Sequence, residues 1–254
     1  MYQRVGSFSP SQEVLDRLNL VKQLAPNLPW DNFNVQNLSS ATGAAVNMDY
    51  FPIRIQSLPT GLTARSLTEY FRMNINSFIT KVGVGFYPYQ DGSFSDAVQW
   101  NKPFEQSVGS VIHIAMLNGG SVILSKYHSD ETRTRFNFST LETPLDYEHP
   151  VAGNREFGVF KNSNSEEFTF YIMGVDRTWD WQFALGNMGH AGFDAADNLW
   201  RNVQENMIKF INNSGGQASY YSQHEIISRP QWADVQEYIF GQITLEELKR
   251  RMGC

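Results

Sequence analysis

Hydrophobic and polar positions alternate with two different periods along the chain. Near the start, Val14, Leu15, Leu18, Val21 and Leu24 recur at helical spacing. Ser9-Pro10-Ser11-Gln12 before them reads as a start signal with Ser9 as N-cap, and Pro26 and Pro29 end the helix. Residues 25–45 have the composition of a loop or strap. The run 49–58 reads as a strand, which Pro52 pushes toward a sheet edge or a strand start. Leu67, Tyr70, Phe71, Asn74, Ile75 and Phe78 fall on one side of a helix over about 64–79.

From Val108 the period shortens to two. VIHIAML, a Gly119-Gly120 turn signal and SVILSKY predict a hairpin. TRFNFST, REFGVF and EFTFYIMGV continue it as a meander, in which Phe168, Phe170 and Ile172 share one face and Thr169, Tyr171 and Met173 the other. Residues 184–193 are too rich in Gly for a helix interior. Leu199, Trp200, Val203, Met207, Phe210 and Ile211 then form a wide apolar stripe, with Asp194 or Asp197 as the expected cap and Gly215-Gly216 as the end. Two short helices follow, over 230–240 and 245–252. Strand connections this short exclude a doubly wound sheet. The expected fold is α+β, an antiparallel meander gripped by one long amphipathic helix, with extra N- and C-terminal helices. It divides into a helix and strap over 1–45, a main domain over 46–216 and a helical extension over 217–254.

Composition narrows the function classes. With 41% hydrophobic and 14% aromatic residues, the 254-residue chain has material for a large core. A net charge of −6 without a long basic run argues against nucleic acid as a partner. The single Cys254 rules out an internal disulfide and paired-cysteine zinc sites. No apolar run reaches the length of a membrane span, and no leader pattern opens the chain. The expectation is a cytoplasmic protein, or one exported without a cleaved signal. No dinucleotide fingerprint, phosphate loop or Gly-x-Ser-x-Gly elbow is present, so no cofactor is expected. Nor do the five histidines stand at metal-ligating helical spacing, so no metal is expected either.

The densest chemistry lies between Asp146 and Trp181. His149, fixed by Pro150 and followed by Arg155-Glu156, has the makings of an acid–base pair, with Glu156 or Asp176 as the carboxylate. The competing reading is a structural corner whose charges brace two strands. Asp176 and Arg177 are neighbours and point to opposite sides of a strand, so Asp176 is expected to pair with Arg155 and Arg177 with Glu156 or Asp146. His113 inside VIHIAML, together with His149, Arg155, Arg177, Trp179 and Trp181, makes the candidate ligand-binding set.

The corner HPVAGNREFGVF, then FTFYIMGVDR and a long helix, resembles the START-like (SRPBCC, helix-grip) superfamily through His149, Pro150, Gly153, Phe157 and Val159. That resemblance implies an apolar cavity between a curved sheet and the helix. The additional terminal helices depart from the pattern. The order Arg54, Ser139-Thr140, Glu142 is similar to that of ADP-ribosyltransferases, but Glu142 stands too close to the Ser-Thr pair and Leu141 replaces a second serine. The leading expectation is a non-catalytic binding module for an apolar or amphipathic ligand or a protein partner, such as a cargo or effector domain. The alternatives are an enzyme or delivered toxin using His149 with Glu156 or Asp176, and a structural or assembly protein.

Overall fold

The computed structural model describes residues 2–25, 33–116, 119–163, 165–179 and 188–252. Twelve strands are found among them: β1 (Asn34–Val35), β2 (Val46–Ser57), β3 (Gly85–Pro88), β4 (Gln90–Asp91), β5 (Phe94–Ser95), β6 (Val111–Ala115), β7 (Gly120–Ser129), β8 (Arg133–Glu142), β9 (Val151–Lys161), β10 (Phe168–Thr178), β11 (Gln217–Tyr220) and β12 (Ile226–Ser228). The α-helices are α1 (Tyr2–Gly6), α2 (Gln12–Leu24), α3 (Ala64–Met73), α4 (Ala97–Trp100), α5 (Met188–Asn213), α6 (Trp232–Ile239) and α7 (Leu245–Met252). The main sheet runs β11-β2-β10-β9-β8-β7-β6-β3 and is antiparallel throughout. β12 also pairs with β2, and β1 with β8. The fold is therefore the expected α+β arrangement, a large antiparallel sheet with one long helix against it and helices at both ends of the chain.

Alternation decides what each face of the sheet meets. On the inner face, Phe51, Ile53, Ile55, Phe136, Phe157, Val159, Phe170 and Ile172 pack with α3 and with Leu199, Trp200, Val203, Met207 and Ile211 of α5. Phe71 of α3 is ringed by Phe78, Phe136, Phe157 and Phe170 at centroid distances of 5.1–6.3 Å. Replacing such a residue by Ala costs about 3–5 kcal/mol. The outer face is covered as well. Val5 of α1 and Val235, Tyr238 and Ile239 of α6 pack on Met48, Tyr50, Tyr171, Met173 and Val175. Val14, Leu18 and Val21 of α2 pack on Val111, Ile123 and Leu141. Burial on both faces explains why the middle of β10, from Phe170 to Val175, reads as a continuous apolar run.

The structure departs locally from the sequence-based boundaries. β2 is not an edge strand, because β10 lies on one side and β11 and β12 on the other. Pro52 is tolerated because it faces the gap between the last β11 partner, Ile53, and the first β12 partner, Tyr50, where no strand requires its missing N–H. The Pro52 carbonyl accepts from Gln204 Nε2 at 2.9 Å. α2 starts after Ser11 rather than Ser9. α5 begins at Met188, so its first turns run through Gly189 and Gly192. Asp194 and Asp197 accordingly lie inside the helix and pair with Arg229 instead of capping it.

Candidate functional site

A cavity of about 540 Å³ opens between the inner face of the sheet and α5, at the end where β9 begins and β10 stops. Its wall is largely apolar, with Phe86, Ile114, Val122, Phe138, Phe157, Phe193, Leu199 and Trp200. Exposed Val82 and Met116 place one rim beside the segment between α3 and β3. The volume lies within the roughly 300–1,000 Å³ typical of small-molecule sites.

His149 enters this wall from the corner before β9. Gln36 holds its backbone in place, donating to His149 O at 3.0 Å and accepting from His149 N at 2.7 Å. The ring lies over Gly120, where any Cβ would strike it. Nδ1 stands 2.9 Å from the Val151 carbonyl and 3.2 Å from the Val151 amide, contacts that anchor the ring at the start of β9. His149 is half-buried and lines the cavity. Burial pushes its pKa down to about 4, against a weaker opposing pull from Val151 and Asp146. The imidazole is therefore neutral at neutral pH.

Arg155 points inward from β9 and is the centre of a buried polar cluster. Its two Nη atoms donate to Asp49 at 2.7 and 2.8 Å, and Nη2 donates to Asp176 at 2.7 Å. The guanidinium stacks on Trp200 of α5 at 4.7 Å. It can lie flat on the sheet because Gly174 beneath it carries no Cβ. Asn47 Nδ2 donates to Asp49 at 2.8 Å, and the buried Asn47 Oδ1 has no hydrogen-bond partner among the described residues. Burial pushes the Asp176 carboxyl up to about 6; Arg155 pulls it down, and the like charge of Asp49 adds to the rise.

The next residue on each strand belongs to the other face. Glu156 is buried under α1, accepting from Tyr171 Oη at 2.7 Å, from Arg135 Nη1 at 2.7 Å and from Arg4. It does not meet His149, so the expected His149–Glu156 acid–base pair is not formed. Arg177 does not bridge to Glu156 or Asp146. It donates to the carbonyls of Leu38 and Gly43 at 2.8–3.0 Å and stacks on Trp232 at 4.3 Å, tying the 38–43 strap to the sheet. Burial lowers its pKa.

His113 also faces outward, since Ile112 and Ile114 on either side turn into the core. Its Nδ1 contacts Asp146 at 2.8 Å, and Asp146 also accepts from Ser121. Trp179 is held through its backbone, by Thr42 and Pro150, and does not line the cavity. Trp181 lies outside the described residues.

The ADP-ribosyltransferase order is not assembled either. Arg54 pairs with Glu167, and along the registers Arg54, Thr169, Phe160 and Arg133 stand side by side. Glu142 is nine residues further along β8, roughly 30 Å away.

Of the predicted site residues, His149, Arg155 and Asp176 are thus brought together, while His113, Glu156 and Arg177 serve the opposite face. Asn47, Asp49 and Trp200 were missed. Their signal was two polar residues, Asn47 and Asp49, on the inward-facing positions of a strand continued by Phe51, Ile53 and Ile55. Among the described residues, no group of three or more His, Cys, Asp or Glu could hold a metal ion. None of their helices is long and apolar enough to cross a membrane.

No family model and no curated protein matches the chain. Among solved structures it is similar to the crystal structure of Ara h 8.0201, at 8% identity and a TM-score of 0.31, over 63% of this chain and 97% of that one. A superposition that loose carries no argument, and the architecture rests on the chain's own strands and long helix.

Proposed function

We propose that the protein is a non-catalytic binding module that holds an apolar or amphipathic small molecule between the sheet and α5. The cavity of about 540 Å³ supports this reading, because its wall is mainly aromatic and aliphatic and its polar groups converge on one region. The neutral His149 and the paired Arg155 suit orientation of a ligand. Among the described residues the His149 ring hydrogen-bonds to the Val151 backbone and to no hydroxyl or carboxylate, an arrangement that favours binding over acid–base chemistry.

The test is thermal stabilisation and native mass spectrometry with a panel of medium-chain lipids and hydrophobic small molecules. A binder should raise Tm increasingly with its excess over Kd. Ala196→Trp, which projects a large ring from α5 into the cavity, should remove that shift while the apo protein stays folded. A panel without any shift, together with no co-purified ligand, would sink the reading.

A further inference from the structure

We propose that the cavity selects ligands carrying one protonated amine on an apolar body, the ammonium being held by the Asp176 carboxylate and Asn47 Oδ1. This rests on the cavity reading above and adds the charge of the ligand to it.

The argument begins with a charge count on the polar wall. One guanidinium, Arg155, stands between two carboxylates, Asp49 and Asp176. Asp49 takes the two-pronged bond and is fully buried behind the wall, whereas Asp176 lines the cavity itself. The Arg155 charge is therefore matched by Asp49, and Asp176 is the unmatched anion. The other charged groups around the cluster do not balance it. On α5, Asp197 is paired with Arg229. On β10, Arg177 points to the opposite face. On the corner, the His149 ring is neutral at neutral pH because burial holds its pKa low. Among the described lining residues, no cation other than Arg155 faces the cavity.

An unmatched buried carboxylate costs several kcal/mol unless a counter-charge arrives or a proton is taken up. The rise of the Asp176 pKa, caused first by burial, is the second of these outcomes. A ligand ammonium supplies the first. It has only donors to offer. The wall presents matching acceptors, Asp176 and the unpartnered Oδ1 of Asn47, whose side chain is entirely buried and lines the cavity. Phe157 in the same wall adds an aromatic ring, which attracts a cation. A carboxylate ligand would instead approach two carboxylates and an arginine whose Nη groups are already donating.

The test is calorimetric titration of the full chain with decylamine, decanol and decanoate, each below its micelle concentration, at pH 5 and pH 7.5. Decylamine should bind at least about tenfold more tightly than decanol at pH 7.5, with decanoate weakest. That preference should shrink at pH 5, where Asp176 carries a proton. Asp176→Asn should remove the preference and keep the decanol affinity, and Asn47→Ala should reduce decylamine binding about three- to tenfold.

Equal binding of decanol and decylamine would overturn the amine selectivity and leave the cavity reading standing. Tightest binding of decanoate would overturn it in favour of Arg155 as the anchor. Failure of all three probes to bind would overturn both. Should Asp176→Asn fail to fold by circular dichroism, the wild-type pH profile decides. A decylamine preference growing from pH 5 to 7.5 supports the proposal, and a flat one overturns it.

Discussion

His149 and Asp176 both line the cavity, yet they respond to pH in opposite senses. His149 has a folded pKa lowered to about 4 from its usual 6.5, so the unfolded chain binds its proton more readily. Its contribution to stability is complete above pH 6.5 and is lost as pH falls toward 4. Asp176 has a folded pKa raised to about 6 from 3.8, so the folded chain binds the extra proton. Its contribution is complete below pH 3.8 and is lost as pH rises through 6. Between pH 4 and 6 the two slopes oppose each other. Stability measured by urea unfolding, expressed relative to wild type, should rise with pH for Asp176→Asn and fall with pH for His149→Gln. Parallel curves for the two variants would refute the assignment. Arg155 is the residue on which both carboxylates depend. Arg155→Met should cost about 3–5 kcal/mol at pH 7, because it leaves Asp49 and Asp176 buried without a counter-charge. Because protonation relieves that repulsion, the loss should be smaller at pH 5.

At the scale of elements, β9 and β10 carry the site and its support on alternate residues. Glu156 illustrates the support. Arg135 and Arg4 both reach it, but Arg135 is 11% exposed in its side chain and Arg4 is 30% exposed. Arg135→Ala should therefore destabilise by about 2–4 kcal/mol and Arg4→Ala by about 1 kcal/mol, measured by chemical denaturation. Much of this architecture was legible in the sequence. The two-residue period from Val108 to Val175 gave the meander, and the stripe from Leu199 to Ile211 gave the long helix. Alternation at Asp176-Arg177 gave the Arg155–Asp176 pair, since adjacent residues in a strand must part. The same rule, applied to Arg155-Glu156, would have separated Glu156 from His149. What local pattern could not supply was the partner of a residue across the sheet. Asp49 lies 106 positions from Arg155, and Gln36 lies 113 positions from His149. Glycine also misled the helix start, since the helix forms from Met188 through a Gly-rich turn that intrinsic propensity disfavours.

Across the whole molecule, the sheet separates two regions with different duties. The cavity occupies the α5 side, and the chain's terminal helices close the other. A chain beginning at residue 9 would lose α1, with Val5 and the Arg4–Glu156 pair. Its Tm should fall, while the ligand-induced increment in Tm should stay, because α1 does not line the cavity. Loss of the increment along with Tm would show that the outer helices shape the cavity through the sheet.

The pairing of opposite-facing neighbours at Arg155-Glu156 and Asp176-Arg177 also bears on how the chain avoids misfolding. A slip of β9 by one residue against β10 would turn Glu156 into the aromatic wall and Arg155 toward the apolar bed of α1. Both charges would lose their partners at once, and each such loss costs several kcal/mol. Two adjacent ionic residues at mid-strand thus act as an error check on strand alignment, penalising the nearest wrong register.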